Sequence, residues 1–316
     1  MPHKIILDTD IGDDIDDAYA LAFALASSEL DLLGVTTVFG NTVARARQGQ
    51  TILKLAGRED VPVAAGVASP ISPRVEYKHA VADAGIADHP VPWPTKCAID
   101  DVRPCQDPSA LPPEQLPPIH PQCAVRFLID TITANPGLTV VTVGAQTNLA
   151  VALSVQPSIV TKIGRVVSMA AVFSRQIAEW NICCDPVAAA LVAASGLDVT
   201  YVGLDVTTKC VLSEQQLQQL LDSDRPVARN LAHATRFWQG DSKARRPMLH
   251  DPLAVATLVQ PELVTTKTGT VSVELTGQHA YGQTLFAPDE KGRHHICVDV
   301  KAEEFLKLWL DRVLSL

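Results

Sequence analysis

Short runs of β-branched residues alternate with longer alanine- and leucine-rich stretches along most of the 316 residues. The runs have the length and composition of buried strands, and the longer stretches have the periodicity of helices. Strands that alternate with helices predict a mostly parallel sheet, because parallel neighbours need a crossover between them. We therefore expect one α/β domain over residues 1–316, with a Rossmann-like central sheet flanked by helices.

The expected strands cover residues 4–7, 30–38, 61–65, 138–143, 165–170 and 198–203. One helix is expected over the apolar stretch from Ala18. Further helices are expected over residues 42–55, 123–134, 147–154 and 186–195, and a helical region should extend to Trp238. A capping box at Ser213 and Gln216 predicts another helix start. A helix should begin at Asp251, residues 268–300 should form an antiparallel pair, and a last helix should cover residues 302–314.

A proline-rich segment interrupts this alternation between residues 69 and 122. Of the 22 prolines in the chain, 12 fall between Pro70 and Pro121. Proline removes a backbone donor and breaks helices and central strands, so the segment is predicted to be a loop or lid.

Composition excludes several classes of partner. A net charge of −9 disfavours nucleic acid and anionic membranes, which need a basic surface. No apolar window approaches ~18 residues, so no membrane span is expected. The seven cysteines lack the spacing of a metal-binding motif, and the N-terminus lacks a secretory signal. We expect a protein of the reducing cytoplasm.

Six aspartates stand within the ten residues from Asp8 to Asp17, DTDIGDDIDD, between the first strand and the first helix. Ligands bind at the C-terminal ends of strands in open α/β sheets. A helix N-terminus stabilises each anion by only ~0.3–1 kcal/mol, so six crowded carboxylates must be partly protonated or hold a hard cation. Ca²⁺ and Mg²⁺ prefer such oxygens. Two N-capping aspartates would be ordinary, but six predict a metal site.

Polar residues also follow other strands at their expected C-terminal ends. They are Asn41, the turn from Val143 to Asn148, Glu179 with Asn181, and His250 with Asp251. Each has an ordinary interpretation alone, as a turn residue, a helix cap, a surface charge or a core histidine. Together on one edge of a parallel sheet, they favour a functional site.

Five segments resemble, in order, the motifs of the nucleoside hydrolases: DTDIGDDIDDA at the start, VTTVFGN at 35–41, VGAQTNLA at 143–150, AEWN at 178–181 and LHDPLAVA at 249–256. These Ca²⁺-dependent enzymes cleave the N-glycosidic bond of ribonucleosides to ribose and free base. The resemblance implies the nucleoside hydrolase fold, a role in nucleoside salvage, and a homodimer or homotetramer.

The resemblance also implies roles for individual residues. Asp10 matches the general base that activates a calcium-bound water, and His250 matches the acid that protonates the leaving base. The implied Ca²⁺ ligands are Asp10, Asp17, Asp251 and the backbone carbonyl of Val143. The implied substrate-binding residues are Asp16, Asn41, Met169, Glu179 and Asn181. Both catalytic groups have suitable ordinary pKa values, since aspartate is an anion and histidine an acid near neutral pH.

Some assignments stay open. The acidic turn is two residues longer than the family's usual DxDxGxDD, so Asp13 and Asp14 compete with Asp16 and Asp17 for the metal; the latter pair is preferred because it starts the helix. The altered segment 169–179 leaves recognition of the 5′-hydroxyl open. The base preference is open too, although Trp180, Phe173 and Trp238 are candidates to stack on a base.

Three rival functions remain. A haloacid-dehalogenase-type phosphatase would use Asp8 as its nucleophile, but it expects Thr or Val where Gly12 stands. A calcium-binding module of EF-hand type would need a carboxylate at Tyr19 and a helix before the turn. A weakly active relative that binds ribose or a nucleoside is the third alternative.

Overall fold

The computed structural model describes residues 2–71, 109–242 and 244–316. Within them, nine strands form one sheet in the order β3-β2-β1-β4-β5-β6-β9-β7-β8. The strands are β1 (His3–Thr9), β2 (Leu30–Thr37), β3 (Val63–Ala65), β4 (Thr139–Thr142), β5 (Arg165–Ser168), β6 (Val199–Tyr201), β7 (Val264–Val273), β8 (Thr284–Pro288) and β9 (His294–Val300). All pairs from β3 to β9 are parallel, and β7 runs antiparallel to both neighbours.

Eleven α-helices in the described residues connect and cover these strands. They are α1 (Asp16–Leu25), α2 (Thr42–Leu55), α3 (Ala124–Ala134), α4 (Thr147–Val155), α5 (Trp180–Cys184), α6 (Pro186–Ala194), α7 (Leu204–Thr207), α8 (Glu214–Leu221), α9 (Pro226–Gln239), α10 (His250–Val259) and α11 (Ala302–Val313). None of the helices described is long and apolar enough to cross a membrane.

The core lies on both faces of the sheet. Side chains alternate between faces along a strand, so Ile5 and Leu7 of β1 enter one apolar cluster and Ile6 enters the other. The first cluster includes side chains from α1, α2 and α7–α11, and the second includes side chains from α3–α6. A parallel sheet covered on both faces is the architecture that the alternating sequence predicts.

Strand order determines where a ligand site can form. Crossovers lead from β1 outward through β2 to β3, and then in the opposite direction from β4 through β5 to β6. The strand order therefore reverses between β1 and β4, which are direct neighbours. A crevice opens at such a reversal, beyond the C-terminal ends of the strands. The acidic turn follows β1 at this point.

Most of the expected elements are present, with corrections at some ends and in the tail. Helix α1 begins at Asp16, as expected from the preference for the Asp16 and Asp17 pair, and α10 begins at His250, one residue before the expected start. The capping box at Ser213 and Gln216 is confirmed. The expected antiparallel pair at 268–300 is instead three strands, and α5 was not predicted. Most of the proline-rich lid, at residues 72–108, lies outside the described residues.

Candidate active site

The acidic turn and the end of β4 approach each other closely at the switch point. The residues Asp8 and Thr142 are paired in the sheet, and the Val143 amide donates to the Asp8 carbonyl at 2.8 Å. A Cβ at Gly144 would lie 2.8 Å from Asp10 Oδ1 and 2.9 Å from Asp10 N. Only glycine leaves space for the Asp10 carboxylate here. Gly12, with a φ of 124°, turns the chain towards α1.

Three carboxylates converge beside this turn. One oxygen each from Asp16, Asp17 and Asp251 lies within 4.8 Å of the others, and all three residues are buried. The Asp251 amide donates to Asp16 Oδ2 at 3.0 Å, which joins the first turns of α1 and α10. The Thr9 hydroxyl donates to Asp17 Oδ1. An oxygen-only set of this kind suits a hard divalent cation.

Burial and mutual repulsion raise the pKa values of these carboxylates. Burial raises the pKa of Asp10 to about 7, with a lowering effect from Arg45 and a further increase from Asp13. Burial also raises the pKa values of Asp16, Asp17 and Asp251 well above their ordinary value, and neighbouring carboxylates add to the increase. A bound cation would remove this repulsion. The residues present therefore fit a divalent metal.

Asp13 has a different partner from the three converging carboxylates. Its Oδ2 accepts from Arg45 Nη2 at 2.7 Å, and the arginine is fully buried. Asp14 lines the cavity, and its Oδ1 accepts from the Ile15 amide at 2.7 Å. Of the two aspartate pairs in the turn, Asp16 and Asp17 are therefore the pair whose carboxylates meet Asp251.

A cavity of about 430 Å³ opens above the carboxylates, within the size range of small-molecule sites. Its lining brings together most of the predicted site residues: Asp10, Asp16, Asp17, Val143, Met169, Glu179, Asn181, His250 and Asp251. The rest of the wall includes aromatic, apolar and basic side chains: Trp180, Trp238, Met248, Leu204, Ile177, Arg175, Arg245 and Arg246.

Glu179 and Asn181 form one wall of the cavity. The Glu179 side chain caps α5, accepting from the amides of Asn181 at 2.9 Å and Ile182 at 3.2 Å. It also accepts from the amide of Ala171, which has a positive φ of 79°. Burial raises the pKa of Glu179 to about 7. The side-chain amide of Asn181 donates from Nδ2 to the backbone carbonyls of Val143 at 2.8 Å and Met169 at 2.9 Å.

His250 stands beside Asp251 at the start of α10, at the opposite end of the sequence from the acidic turn. Its Nδ1 lies 2.7 Å from the Thr207 hydroxyl, an interaction that fixes the orientation of the ring. Near it, the Arg245 guanidinium lies 3.7 Å from the centroid of the Trp238 ring. The cavity thus has acidic groups on its floor and an imidazole and aromatic rings on its walls.

Comparison with known proteins agrees with this geometry. The family model described as inosine-uridine preferring nucleoside hydrolase matches residues 5–307. The chain belongs to this family. It is 32% identical to the inosine-uridine preferring nucleoside hydrolase of Crithidia fasciculata, over 98% of this chain and 96% of that protein. It is 32% identical to the pyrimidine-specific ribonucleoside hydrolase RihA of Shigella boydii, over 99% of both chains.

Solved nucleoside hydrolase structures share the fold along the whole chain. The purine-preferring ribonucleoside hydrolase of Gardnerella vaginalis has a TM-score of 0.79 and 29% identity, over 99% of this chain and 98% of that chain. The plant nucleoside hydrolase PpNRh1 has a TM-score of 0.77 and 28% identity, over 100% of both chains. The predicted family and fold are confirmed.

The nucleoside hydrolase fold also argues against two rival functions, the phosphatase and the EF-hand module. Asp8, the nucleophile of the phosphatase alternative, is fully buried within β1, where it accepts from Thr36 Oγ1 at 2.6 Å and Asn148 Nδ2 at 2.8 Å. A group held in this way is not available to a substrate. The EF-hand alternative fails because a strand precedes the acidic turn.

Two predicted contacts have other roles in the described part of this nucleoside hydrolase. Asn41 caps α2 by accepting from the Ala44 amide at 3.0 Å, and the described lining of the cavity does not include it. Phe173, a candidate to stack on a base, packs edge-on against Tyr201 and Phe286. Trp180 and Trp238 do line the cavity.

Sequence analysis missed Arg45, a fully buried cation near the nucleoside hydrolase site. The residue lies on the buried face of α2, with Thr42, Ala46 and Gly49. This placement is the one available signal, because an arginine on the apolar face of an amphipathic helix needs a carboxylate or carbonyl partner. The signal does not identify the partner, which lies 32 residues away.

Proposed function

We propose that this nucleoside hydrolase cleaves the N-glycosidic bond of ribonucleosides, releasing ribose and the free base, with Ca²⁺ as its cofactor. The observation that carries the proposal is the convergence of Asp16, Asp17 and Asp251 on the floor of a cavity large enough for a nucleoside. The family membership supports the reaction, and the donor set supports the cation.

The proposed ligands of Ca²⁺ are Asp10, Asp17, Asp251 and the carbonyl oxygen of Val143. All four line the cavity, and a mixture of carboxylate and carbonyl oxygens is typical of calcium sites. When bound, such a cation orients a water molecule and makes it more acidic. Asp16 already accepts from the Asp251 amide, and we assign its carboxylate to the ribose diol.

Asp10 is proposed to accept the proton from the attacking water. An ionised carboxylate that lines the cavity can accept a proton from a water molecule within hydrogen-bond reach. The departing base leaves positive charge on the sugar. The carboxylates around the ribose favour this oxocarbenium-like transition state, as they do in other glycosidases.

The remaining polar groups hold the two halves of the substrate. Glu179, Asn181 and Met169 line the wall that we assign to the ribose. Asn41, which caps α2 outside the described lining, is proposed as a ribose contact from the sequence motif alone. His250 is proposed to protonate the leaving base. Its Nδ1 is engaged by Thr207, so we assign the donated proton to Nε2. Holding both halves in place reduces the entropic part of the barrier.

A substrate panel tests the proposal. Release of ribose is measured for inosine, guanosine, adenosine, uridine and cytidine, with Ca²⁺ and with a chelator. We expect hydrolysis of at least one nucleoside, loss of it with chelator, and recovery when Ca²⁺ is restored. Asp10→Asn should abolish turnover, whereas the matched control Asp130→Asn, on the exposed face of α3, should leave it unchanged.

The panel also distinguishes hydrolysis from the alternative function, that of a weakly active relative that binds ribose or a nucleoside. Relatives are named for inosine-uridine, pyrimidine and purine preference, so the panel is needed to assign the base. Binding of ribose without release from any nucleoside would contradict hydrolysis and favour the binding function. The homodimer or homotetramer and the cytoplasmic location stay predictions from sequence.

A further inference from the structure

Arg45 makes a set of contacts that the proposed reaction does not use. Its Nε donates to the Phe39 carbonyl at 2.6 Å, and its Nη1 donates to the carbonyls of Asp10 and, at 3.1 Å, Ile11. Its Nη2 donates to Asp13 Oδ2 at 2.7 Å. The side chain is fully buried, and arginine has no acceptor atoms, so every contact depends on these oxygens.

These contacts join three separate parts of the site. Asp10 and Ile11 begin the acidic turn after β1, Phe39 follows the end of β2 with a positive φ of 62°, and Arg45 itself belongs to α2. The planar guanidinium presents its donors in a rigid fork, which restrains several oxygens at once. The position of the backbone at Asp10 is therefore set from a neighbouring helix.

The acidic turn needs such a restraint before any cation arrives. One oxygen each from Asp16, Asp17 and Asp251 lies within 4.8 Å of the others, so these carboxylates repel one another when they are ionised. Repulsion of this kind favours conformations in which the turn opens towards solvent. Asp13 balances the charge of Arg45, so the restraint adds no uncompensated buried charge.

We propose that Arg45 is a positioning residue that holds the turn from Asp10 to Asp17 in its cation-binding conformation before the cation binds, with Asp13 as its counter-ion. The inference rests on the cation site of the proposed function. It assigns Asp13 a structural role inside the acidic motif and explains how a longer turn keeps one defined geometry.

Positioning and simple electrostatics predict opposite results when the arginine is removed. Arg45→Met deletes a positive charge near the site, so electrostatics alone would make Ca²⁺ bind more tightly. If Arg45 positions the turn, the turn of the Arg45→Met variant becomes ordered only when Ca²⁺ binds, so the variant binds Ca²⁺ more weakly than the wild type does. The sign of the change in Kd therefore decides between the two explanations.

The experiment measures Ca²⁺ affinity by calorimetry and amide hydrogen exchange of residues 10–17 in the metal-free full chain. We expect Arg45→Met to weaken Ca²⁺ binding by roughly tenfold or more and to accelerate exchange in the turn. Arg45→Lys should recover part of the affinity, because one ammonium reaches Asp13 but does not reproduce the fork. Arg126→Met, which breaks an exposed ion pair, is the matched control and should change neither quantity.

A double variant covers the case in which Arg45→Met fails to fold. Asp13→Asn combined with Arg45→Met leaves no uncompensated buried charge, yet the turn carbonyls still lose their donors, so binding should remain weak. Wild-type Ca²⁺ affinity or unchanged exchange in the double variant would overturn the positioning role. Wild-type protein that binds no Ca²⁺ would instead refute the cation site, while the exchange measurement would still test the restraint.

Discussion

Removal of the cation should make the stability of the protein depend on pH in a characteristic direction. Burial raises the pKa of Asp10 from its ordinary 3.8 to about 7 in the metal-free chain. Between these values the folded protein keeps a proton that the unfolded chain has already lost. The folded state binds more protons, so the contribution of Asp10 to stability falls as the pH rises and levels off above about 7.

The size of the effect follows from the same shift. The rise from 3.8 to about 7 corresponds to about 4 kcal/mol for Asp10 alone, at about 1.4 kcal/mol for each tenfold change in proton affinity. For a chain of this length, a loss of about 4 kcal/mol lowers the unfolding temperature by roughly 5–10 °C. The raised pKa values of Asp16, Asp17 and Asp251 act in the same direction.

Calcium should reverse this dependence. Its ligands must be ionised, so binding strengthens as the pH rises and stabilises the folded state by mass action. Thermal unfolding measured by calorimetry from about pH 5 to about pH 8, with chelator and with Ca²⁺, should therefore give two curves that diverge with pH. Asp10→Asn should make the chelator curve less steep, because Asp16, Asp17 and Asp251 still act in the same direction. Parallel curves, or a chelator curve that rises with pH, would refute the reasoning.

Three further variants test separate parts of the molecule. Gly144→Ala should lower kcat at least roughly tenfold and also lower the unfolding temperature, because its Cβ would lie less than 3 Å from both the carboxylate and the backbone nitrogen of Asp10. His250→Ala should slow natural nucleosides by roughly 10²–10⁴ and leave p-nitrophenyl riboside nearly unaffected, since that leaving group needs no proton; equal losses would make His250 structural. Trp309→Ala should destabilise the fold by about 3–5 kcal/mol in denaturant unfolding, because the ring is fully buried against Tyr19.

The parallel sheet explains why so much of the site could be predicted from the sequence. Asp10 follows β1, Val143 follows β4 and Glu179 comes after β5, at positions far apart in the chain. Parallel strands end at the same edge of the sheet, so the sequence predicts that the residues following them lie close together. This prediction needs no distances between the strands. The strands and helices themselves were predictable because their apolar patterns and caps are local.

The remaining contacts depend on distances between elements, which local patterns do not contain. Asn41 follows β2 as predicted, but its side chain turns back to cap α2. Asp13 belongs to the predicted acidic motif, but its partner Arg45 comes from a helix that begins 29 residues later. The sequence motif alone does not show which carboxylate of the turn pairs with a buried guanidinium.

The acidic turn shows how function and folding oppose each other in this protein. A site that holds a hard cation needs several buried carboxylates at one point, and the metal-free fold is least stable where they are ionised. Only one carboxylate of the turn, Asp13, has a buried guanidinium as its partner in the described chain. Asp16 and Asp17 meet Asp251 at the switch point, so a bound cation would contribute to folding stability as well as to catalysis. A change that weakens the cation site should therefore reduce both stability and turnover, whereas a change at His250 should reduce turnover alone.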